Sequence, residues 1–358
     1  MFFRKAKALV GLDIGSSAIK AVELKQSGKT WKVVAFGIEP LPPDCIVDGA
    51  IIDGALVADA IRRLFETQKI KTKEVATSLS GNAVIVKKIS LPAMTPAELG
   101  ESIYWEAEQY IPFDIQDVNL DYQILRGAVT GKQKPDGPSE MDVLLVAAKK
   151  EKIADYTGVI TQAGRVPVVV DVDAFALQNA FEVGYGFEAG AVVALVNAGA
   201  STININIASA GESLFTRDIS IGGNSYTEAL QRELNLPYEG ADQLKRGMAV
   251  DGMDFDMARP VVRAVTENVL LEVQKTFDFF RGTTASNRID QVVVCGGTSR
   301  IEGFTEMLEE RFEAKVEPFD PFRHIEFDAQ AFNVASAADV AAVSAVAVGL
   351  ALRKVGDR

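Results

Sequence analysis

Two segments far apart in the chain carry nearly the same strand-and-turn signature. The first reads VGLDIGSS at residues 10–17, and the second reads LVNAGAST at residues 195–202. Each combines an apolar strand, an Asp/Asn-x-Gly-x-Ser turn and a returning strand. A duplicated domain produces such a repeat, with two glycine-lined hairpins that face one cleft. The repeat therefore predicts a two-domain α/β protein, and nucleotide binding is the first functional hypothesis.

The charge balance and the small number of cysteines exclude several functional classes. The 358 residues include 37 Lys and Arg against 49 Asp and Glu, which gives a net charge of −12. Proteins that bind phosphate backbones need a basic surface, so nucleic acid is not an expected partner. Cys45 and Cys295 have no CxxC spacing, and His324 is the one histidine. A disulfide framework, a structural zinc site and a histidine-based triad are excluded.

The apolar stretches are too short to cross a membrane. At the N terminus, Phe2 and Phe3 are followed by Arg4 and Lys5, which leaves no continuous apolar segment for a secretory signal. The longest largely apolar run, residues 340–352, falls short of the roughly 20 residues of a spanning helix and is typical of a buried helix. We expect a cytoplasmic protein without a transmembrane segment.

The hydrophobic pattern predicts two β-meanders separated by an insert. The insert, at about residues 86–165, reads strand-helix-strand-strand-helix; its first helix begins at a capping box formed by Thr95 and Glu98. Residues 127–139 are polar and form a predicted hairpin loop. Residues 166–172 are apolar except for one aspartate and predict a mostly buried strand.

Helices follow the second meander. Ser225 and Glu228 predict a capping box, and another helix is expected after Pro260. The other predicted elements are strands at residues 31–38, 74–79, 83–89, 118–125, 141–147, 192–196, 201–208, 213–220 and 291–295, and helices at residues 53–67, 149–163 and 302–312.

The first hairpin offers groups that can hold the phosphates of a nucleotide. Gly15 lets the backbone approach a phosphate, and the hydroxyls of Ser16 and Ser17, with consecutive amides, can cradle its oxygens. The Asp13 carboxylate can hold Mg²⁺, usually through water, and Lys20 on the returning strand can reach the same phosphates. Taken alone, such a glycine-serine hairpin is more often an ordinary turn.

Recurrence of the hairpin and a later diglycine turn favour the nucleotide hypothesis. The diglycine turn, at residues 296–299, lies between a predicted strand and a predicted helix. Its small residues allow an adenine ring and a ribose to lie against the backbone. The candidate residues of the second half are Asn197, Gly199, Ala200 and Ser201 in the hairpin, Gly222 and Gly223 after the second meander, and Gly296, Gly297, Thr298 and Ser299 in the turn.

With these three elements in this order, the chain resembles the superfamily of actin, the heat-shock chaperone ATPases and the sugar kinases. Residues 13–20 match its phosphate-1 hairpin, residues 197–202 phosphate-2 and residues 296–304 the adenosine motif. Within the superfamily, the chain is most similar, over essentially its whole length, to the PilM family of actin-like, FtsA-related type IV pilus assembly proteins. The segments that carry this likeness are residues 9–15, 46–53, 106–113 and 120–122.

The resemblance implies an α/β protein with an actin-like ATPase fold, in which duplicated RNase H-like domains carry an inserted α+β subdomain. The implied divisions are subdomain 1A at residues 1–85 and 166–190, the inserted 1C-like subdomain at 86–165, the second domain at 191–345 with a helical 2B part at about 224–285, and a C-terminal helix at 346–358 that returns to 1A.

The resemblance also implies a function. ATP with Mg²⁺ is expected in the cleft between the domains. The protein is expected to act as a cytoplasmic scaffold that captures the N-terminal cytoplasmic tail of PilN, in a groove on or beside the insert, and so joins the inner-membrane pilus platform. A pilus motor ATPase is a further partner that the resemblance allows. Filament formation is not implied.

Four positions need separate interpretation. Asn197 stands where the superfamily usually has aspartate; an amide brings no negative charge and cannot act as a base, so at most weak ATPase activity is expected. Asp173 lies near the position of a residue that orients the attacking water, with a helix-capping aspartate as the alternative. For Asp242 and Lys245 the resemblance implies contacts near ribose and adenine, and a solvated helix face is the alternative. Gly349 is expected to be a close-packing position.

Two other functions remain open from the sequence. A kinase for a small substrate needs a catalytic base, yet His324 is the one histidine, and the insert has no part in such a reaction. An FtsA-like division protein would carry a C-terminal amphipathic anchor, for which no room is expected after residue 352.

Overall fold

In the described part of the chain, the strands form two large sheets, a three-stranded sheet and a two-stranded one. The structure is a computed structural model that describes residues 8–28, 30–125, 140–284, 288–312 and 314–356. The hairpin loop predicted at residues 127–139 and the N-terminal residues 2–5 lie outside the described part of the chain.

The strands are β1 (Val10–Ile14), β2 (Ala18–Ser27), β3 (Thr30–Pro40), β4 (Ile46–Val47), β5 (Ala50–Ile51), β6 (Glu74–Leu79), β7 (Val84–Pro92), β8 (Val118–Ile124), β9 (Glu140–Lys149), β10 (Val166–Val172), β11 (Val192–Ala198), β12 (Ile203–Ser209), β13 (Glu212–Ile219), β14 (Gln291–Cys295), β15 (Lys315–Pro318) and β16 (Ile325–Glu326). The helices are α1 (Gly54–Thr67), α2 (Pro96–Glu108), α3 (Lys150–Gln162), α4 (Asp173–Gly184), α5 (Gly223–Leu234), α6 (Tyr238–Lys245), α7 (Phe255–Thr283), α8 (Phe304–Phe312) and α9 (Ala337–Ala351). Short 3₁₀ turns lie at Ile115–Asp117, Gly297–Arg300 and Gln330–Phe332.

The two large sheets share one topology over five strands, and β16 is an additional strand at the edge of the first sheet. Their strand orders are β10-β6-β1-β2-β3-β16 and β13-β12-β11-β14-β15. In each, an antiparallel hairpin continues to a third antiparallel strand. The first hairpin strand also pairs in parallel with a later strand, β6 or β14, and a further parallel strand follows on that side. This common order confirms the duplication that the repeated hairpin predicted.

Helices α4 and α9 fill the space between the two large sheets. Leu177 and Phe181 of α4 and Val348 of α9 lie in one buried cluster with Val22 of the first sheet and Leu195 of the second. The opposite face of the first sheet is covered by α1 and α3, and that of the second by α5 to α8. Because burial of apolar surface is the main stabilising term in folding, this shared layer holds the two halves together.

The insert has a small core of its own. Its sheet has the order β7-β9-β8, and Leu99 of α2 packs on it. The capping box predicted at Thr95 and Glu98 is confirmed, with both reciprocal hydrogen bonds formed. Helix α3 packs elsewhere, because its Tyr156 and Ile160 belong to the cluster that α1 forms on the first sheet.

Helices α5 and α7 begin about a turn or more before their predicted starts, whereas α1, α3 and α8 begin one or two residues after theirs. The prediction of a capping box at Ser225 is wrong. Helix α5 begins at Gly223, and no side chain of the described residues caps it. Its first amides donate instead to the backbone of the β11–β12 hairpin, so a serine cap is not needed. The helix expected after Pro260 begins earlier, at Phe255, capped by the Asp254 side chain.

Strand β10 is an edge strand, which contradicts the prediction of a mostly buried strand. Among the described residues it pairs with β6 alone, and Val166 and Val170 are 48% and 38% exposed. An apolar run indicates a strand but does not reveal its position in the sheet.

The last helix packs against backbone at two glycines. A Cβ added at Gly349 would lie 1.7 Å from the carbonyl oxygen of Ala176 in α4, and one added at Gly11 would lie 2.0 Å from that of Ala347. The predictions of a close-packing position at Gly349 and of a buried helix at residues 340–352 are confirmed, whereas the C-terminal helix expected at residues 346–358 instead begins at Ala337 and ends at Ala351. None of the helices in the described ranges has the length and apolar character needed to cross a bilayer.

Candidate functional site

The two repeated hairpins touch each other. The Ser16 hydroxyl donates a hydrogen bond to the Ser201 hydroxyl, with 3.0 Å between the oxygens. Both turns close in the same way: the Gly15 amide donates to the carbonyl of Ala18, and the Gly199 amide donates to that of Thr202. The structure thus brings together, from the two halves, two turns of the same geometry.

The first hairpin holds an ion pair beside this contact. Asp13 and Lys20 are opposite each other in the β1–β2 register, and the Lys20 Nζ lies 3.0 Å from the Asp13 carboxylate. A Cβ at Gly15 would lie 2.8 Å from that Nζ, so glycine leaves room for the lysine. Each side chain of the pair is 15% exposed, whereas Ser17 is exposed at the tip. Opposite charges are therefore available at the edge of the contact between the hairpins.

The second hairpin rests on the start of α5. The Gly223 amide donates to the Gly199 carbonyl at 3.0 Å, and the Asn224 amide donates to that of Ala200 at 2.7 Å. A Cβ at Gly222 would lie 2.6 Å from the Gly199 oxygen, which excludes any side chain there. The predicted residues Gly199, Ala200, Gly222 and Gly223 thus form one closely packed unit.

The diglycine turn joins the same unit. Thr298 donates its hydroxyl hydrogen to the Gly199 carbonyl at 2.7 Å, and Ser299 donates to the Gly296 carbonyl at 2.8 Å. Gly296 has φ +90°, and an added Cβ would lie 2.1 Å from the Ala198 oxygen. Gly297 is exposed, and a Cβ there would meet no atom of the described part of the chain within 4 Å. Gly296 is therefore required by the fold, while Gly297 leaves space for another molecule.

Lys245 and Asp242 do not lie on a solvated helix face, so that interpretation is wrong. The Lys245 Nζ is 2.7 Å from the Asp242 carboxylate and donates to the Thr227 hydroxyl at 2.7 Å and to the Gly223 carbonyl at 3.2 Å. The lysine side chain is 11% exposed, and burial lowers its pKa. It therefore joins α6 to the turn of α5 that supports the second hairpin.

Asp173 occupies the first turn of α4 without capping it, so the capping interpretation is also wrong. Its carboxylate accepts a hydrogen bond of 2.5 Å from the Ser78 hydroxyl. Burial, followed by the negative charge of Asp13, raises the pKa of Asp173 from 3.8 to about 6, although hydrogen bonds from Ser78 and Ser80 oppose the shift. Asp173 therefore lies close enough to Asp13 of the first hairpin to interact with it electrostatically, and its own position is poorly solvated.

Replacing this carboxylate by an amide is expected to stabilise the protein in a pH-dependent way. In the folded protein Asp173 holds its proton more tightly than in the unfolded chain, so ionisation costs stability as the pH rises from about 4 to about 6. Asp173→Asn should raise the free energy of unfolding by up to about 3 kcal/mol at about pH 8, and by much less at about pH 4. Urea unfolding at the two pH values measures this, and equal gains at both would contradict the assignment.

Asn204 and Asp218 were missed by sequence reasoning. Asn197 donates to the Asn204 side-chain oxygen at 2.9 Å, and Asn204 donates to Asp218 at 2.8 Å. Each is a polar residue in a predicted strand, which the sequence does show. That the two align with Asn197 depends on the register of three strands, which the sequence does not show. Asn197 therefore belongs to a buried network.

A cavity of about 600 Å³ lies away from the hairpins. It is bordered by β3, by the end of α1 and by residues 328–333, and contains none of the predicted site residues. The candidate site therefore rests on the geometry of the hairpins.

The repeated sheets and facing hairpins define the actin-like ATPase fold. Two solved structures share this fold: EutJ, an ethanolamine utilization protein from Carboxydothermus hydrogenoformans, has a TM-score of 0.57 at 16% identity, over 97% of this chain and 90% of that one. MreB5 of Spiroplasma citri, bound to ADP, has a TM-score of 0.50 at 15% identity, over 96% and 94%.

The chain belongs to the family of the type IV pilus assembly protein PilM, whose family model matches residues 11–355. A chain in the solved PilM-PilN type IV pilus biogenesis complex is similar to it, with a TM-score of 0.85 at 28% identity, over 99% of this chain and 100% of that one.

Proposed function

We propose that this protein is a cytoplasmic, ATP-binding scaffold of the inner-membrane assembly platform of the type IV pilus, where it holds the N-terminal cytoplasmic tail of PilN. The observation that carries the proposal is the full-length likeness to a chain of the PilM-PilN complex. Family membership supports the role in pilus assembly and does not favour an FtsA-like division protein or a small-molecule kinase.

We propose that the two hairpins bind the phosphates of the nucleotide. Lys20 supplies a positive charge, and Ser16 and Ser201 supply hydroxyls from the two halves. The exposed backbone at Gly297 is proposed to lie against the adenine ring, with Asp242 near the ribose. Lys245 contacts other residues of the protein at all three of its observed partners, so we propose that it stabilises the adenosine side of the site and does not bind the nucleotide itself.

The carboxylates fit a magnesium nucleotide. Mg²⁺ is usually held by one or two carboxylates together with substrate phosphates, and it neutralises their charge when bound. Asp13 and Asp173 interact electrostatically and are the proposed pair, with Asp13 acting through water. Within the described ranges, no group of three or more His, Cys, Asp or Glu side chains is arranged to hold a metal. The phosphates would therefore supply much of the coordination.

Hydrolysis is proposed to be slow. The Asn197 amide cannot take a proton from water, and its nitrogen already donates to Asn204. Asp173 remains as the residue that orients the attacking water, and its raised pKa means that part of it is protonated near neutral pH.

The nucleotide is proposed to change the angle between the halves. At 3.0 Å, the hydroxyls of Ser16 and Ser201 leave no room for a phosphate oxygen between them. Phosphates that enter there must break this hydrogen bond, either by rotating the two serine side chains or by separating the hairpins. We propose that the hairpins separate, so that the nucleotide favours a wider arrangement and changes the affinity for a partner that senses the angle.

The insert is proposed to carry the peptide groove. Strand β8 lies at the edge of the three-stranded sheet among the described residues, and an extended peptide can add to such an edge. Tyr104 and Trp105 of α2 are 52% and 75% exposed, which offers apolar surface on the same insert.

Lys20→Ala is expected to weaken the binding of magnesium-ATP by about tenfold or more, because a charge-assisted hydrogen bond to phosphate is lost and the Asp13 charge is left unpaired. Calorimetric titration measures the affinity. Lys25→Ala is the matched control, since Lys25 lies exposed on the same strand. Equal affinities of the two variants would contradict the placement of the phosphates.

The proposal as a whole is tested by titrating synthetic peptides of the PilN cytoplasmic tail into the protein with magnesium-ATP, with magnesium-ADP and without nucleotide. Binding of the tail but not of a scrambled peptide supports the scaffold. Failure of the tail to bind under all three conditions would overturn it.

A further inference from the structure

A row of polar side chains crosses the second sheet beside the hairpins. Cys295, Asn197, Asn204 and Asp218 lie opposite one another on the neighbouring strands β14, β11, β12 and β13. The Cys295 sulfur is 3.7 Å from the Asn197 oxygen, and the next two contacts are hydrogen bonds of 2.9 Å and 2.8 Å.

The row ends on the other half of the molecule. The second carboxylate oxygen of Asp218 accepts a hydrogen bond of 2.5 Å from the amide of Gly81. Gly81 lies between β6 of the first sheet and β7, the first strand of the insert, and its carbonyl accepts from the Val84 amide where β7 begins. Asp218 is therefore bonded to the turn from which the insert extends.

The ionised Asp218 fixes the orientation of both amides in the row. A carboxylate only accepts hydrogen bonds, so Asn204 must direct its NH₂ group to Asp218 and its oxygen to Asn197. Asn197 must then direct its NH₂ group to Asn204, so its oxygen is the acceptor that faces the Cys295 thiol and has a second lone pair for another donor or a cation. A buried amide has no water to satisfy a reversed orientation, and Asn204 is 3% exposed.

Both carboxylate oxygens of Asp218 are used, one within its own sheet and one across to the first half. Burial raises its pKa, whereas the two hydrogen bonds and the charge of Lys152 on α3 favour the ionised form. The contacts with the groups that Asp218 orients therefore oppose the protonation that burial favours.

We propose that Asp218 is a positioning residue: it presents the Asn197 oxygen to the magnesium-nucleotide and links that hairpin to the Gly81 turn of the insert. The inference rests on the proposed function for the identity of the ligand. A nucleotide that contacts Asn197 would then change the strength of the bond at Gly81, at the base of the proposed peptide-binding insert.

The first test is the binding of magnesium-ATP by three variants. In Asp218→Asn, one side-chain oxygen must serve both donors, the Asn204 amide and the Gly81 amide. Asn197 is then no longer held in one orientation, so the affinity for magnesium-ATP should fall by about tenfold. The double variant Asn204→Asp with Asp218→Asn moves the charge by one position: the new carboxylate accepts from both neighbours, and the amide at 218 still accepts from Gly81. It should bind within about threefold of the wild type. Asp290→Ala, which removes a carboxylate that accepts a hydrogen bond from the Val192 amide inside the second half, is the control and should bind normally.

A second measurement does not depend on nucleotide. Hydrogen exchange of the Gly81 amide, without any ligand, should be faster in Asp218→Ala and unchanged in Asp290→Ala and in the double variant. In the wild type, magnesium-ATP should alter this exchange. Melting temperatures establish that each variant is folded.

Three outcomes would overturn the inference: wild-type affinity in Asp218→Asn, a folded double variant that binds as poorly as the single one, or unchanged Gly81 exchange in Asp218→Ala. A wild-type protein that binds no nucleotide, but whose Gly81 exchange depends on Asp218, would instead overturn the proposed function and leave only the structural link.

Discussion

Gly349→Ala is expected to destabilise the fold by about 3 kcal/mol or more. The added Cβ would lie 1.7 Å from the oxygen and 2.4 Å from the carbonyl carbon of Ala176, and these backbone atoms belong to a buried helix that cannot shift alone. The denaturant midpoint and the free energy of unfolding measure the effect. The neighbouring contact at Gly11 predicts a loss of similar size for Gly11→Ala, since its Cβ would lie 2.0 Å from the Ala347 oxygen.

The matched control for Gly349 is a glycine in another helix. Gly158 lies in α3, and a Cβ there would meet no atom within 4 Å. Gly158→Ala should therefore be neutral or stabilising by about 0.5–1 kcal/mol, because alanine restricts the unfolded chain and favours helix. Equal stability of the Gly349 and Gly158 variants would show that α9 does not pack on α4 as described.

Gly297→Val is expected to weaken magnesium-ATP binding by about a hundredfold, equivalent to about 2.7 kcal/mol, while leaving stability nearly unchanged. The added side chain would project into open space in the free protein and meets no atom within 4 Å, so its effect falls on the ligand. Calorimetric titration measures the affinity, and thermal unfolding reports the stability.

Substitutions of two further glycines serve as comparisons for the result at Gly297. Gly296→Val should unfold the region, because φ is +90° and the Cβ would lie 2.1 Å from the Ala198 oxygen. Gly282→Val places the same side chain on α7, again without an atom of the described residues within 4 Å of the added Cβ, and should not affect nucleotide binding. Full affinity in Gly297→Val would place the adenine ring elsewhere.

Local patterns predicted the parts of the fold that depend on neighbouring residues. The hairpins at Asp13 and Asn197 were found because alternation and turn residues are short-range signals. The cap at Thr95 was found for the same reason. These elements also carry most of the predicted site, so the resemblance could be noticed from the sequence.

The wrong predictions depended on tertiary contacts. The start of α5 at Gly223 is satisfied by the backbone of a distant hairpin, which a capping motif cannot indicate. Burial of Lys245 depends on partners in another helix, and exposure at Val166 depends on the order of strands in the sheet. The row of polar side chains that ends at Asp218 can be recognised only when the registers of three strand pairs are known.

The first half of the molecule can finish folding only late in synthesis, because one of its helices comes after the second half in the sequence. The first sheet begins at Val10, yet α9, which packs against β1, β2 and β6, ends at Ala351. A nascent chain that has left the ribosome up to the second sheet still exposes the apolar surface that α9 will cover. Since such long-range contacts form slowly and exposed apolar surface favours aggregation, we expect the emerging protein to need protection by chaperones until its last helix is made.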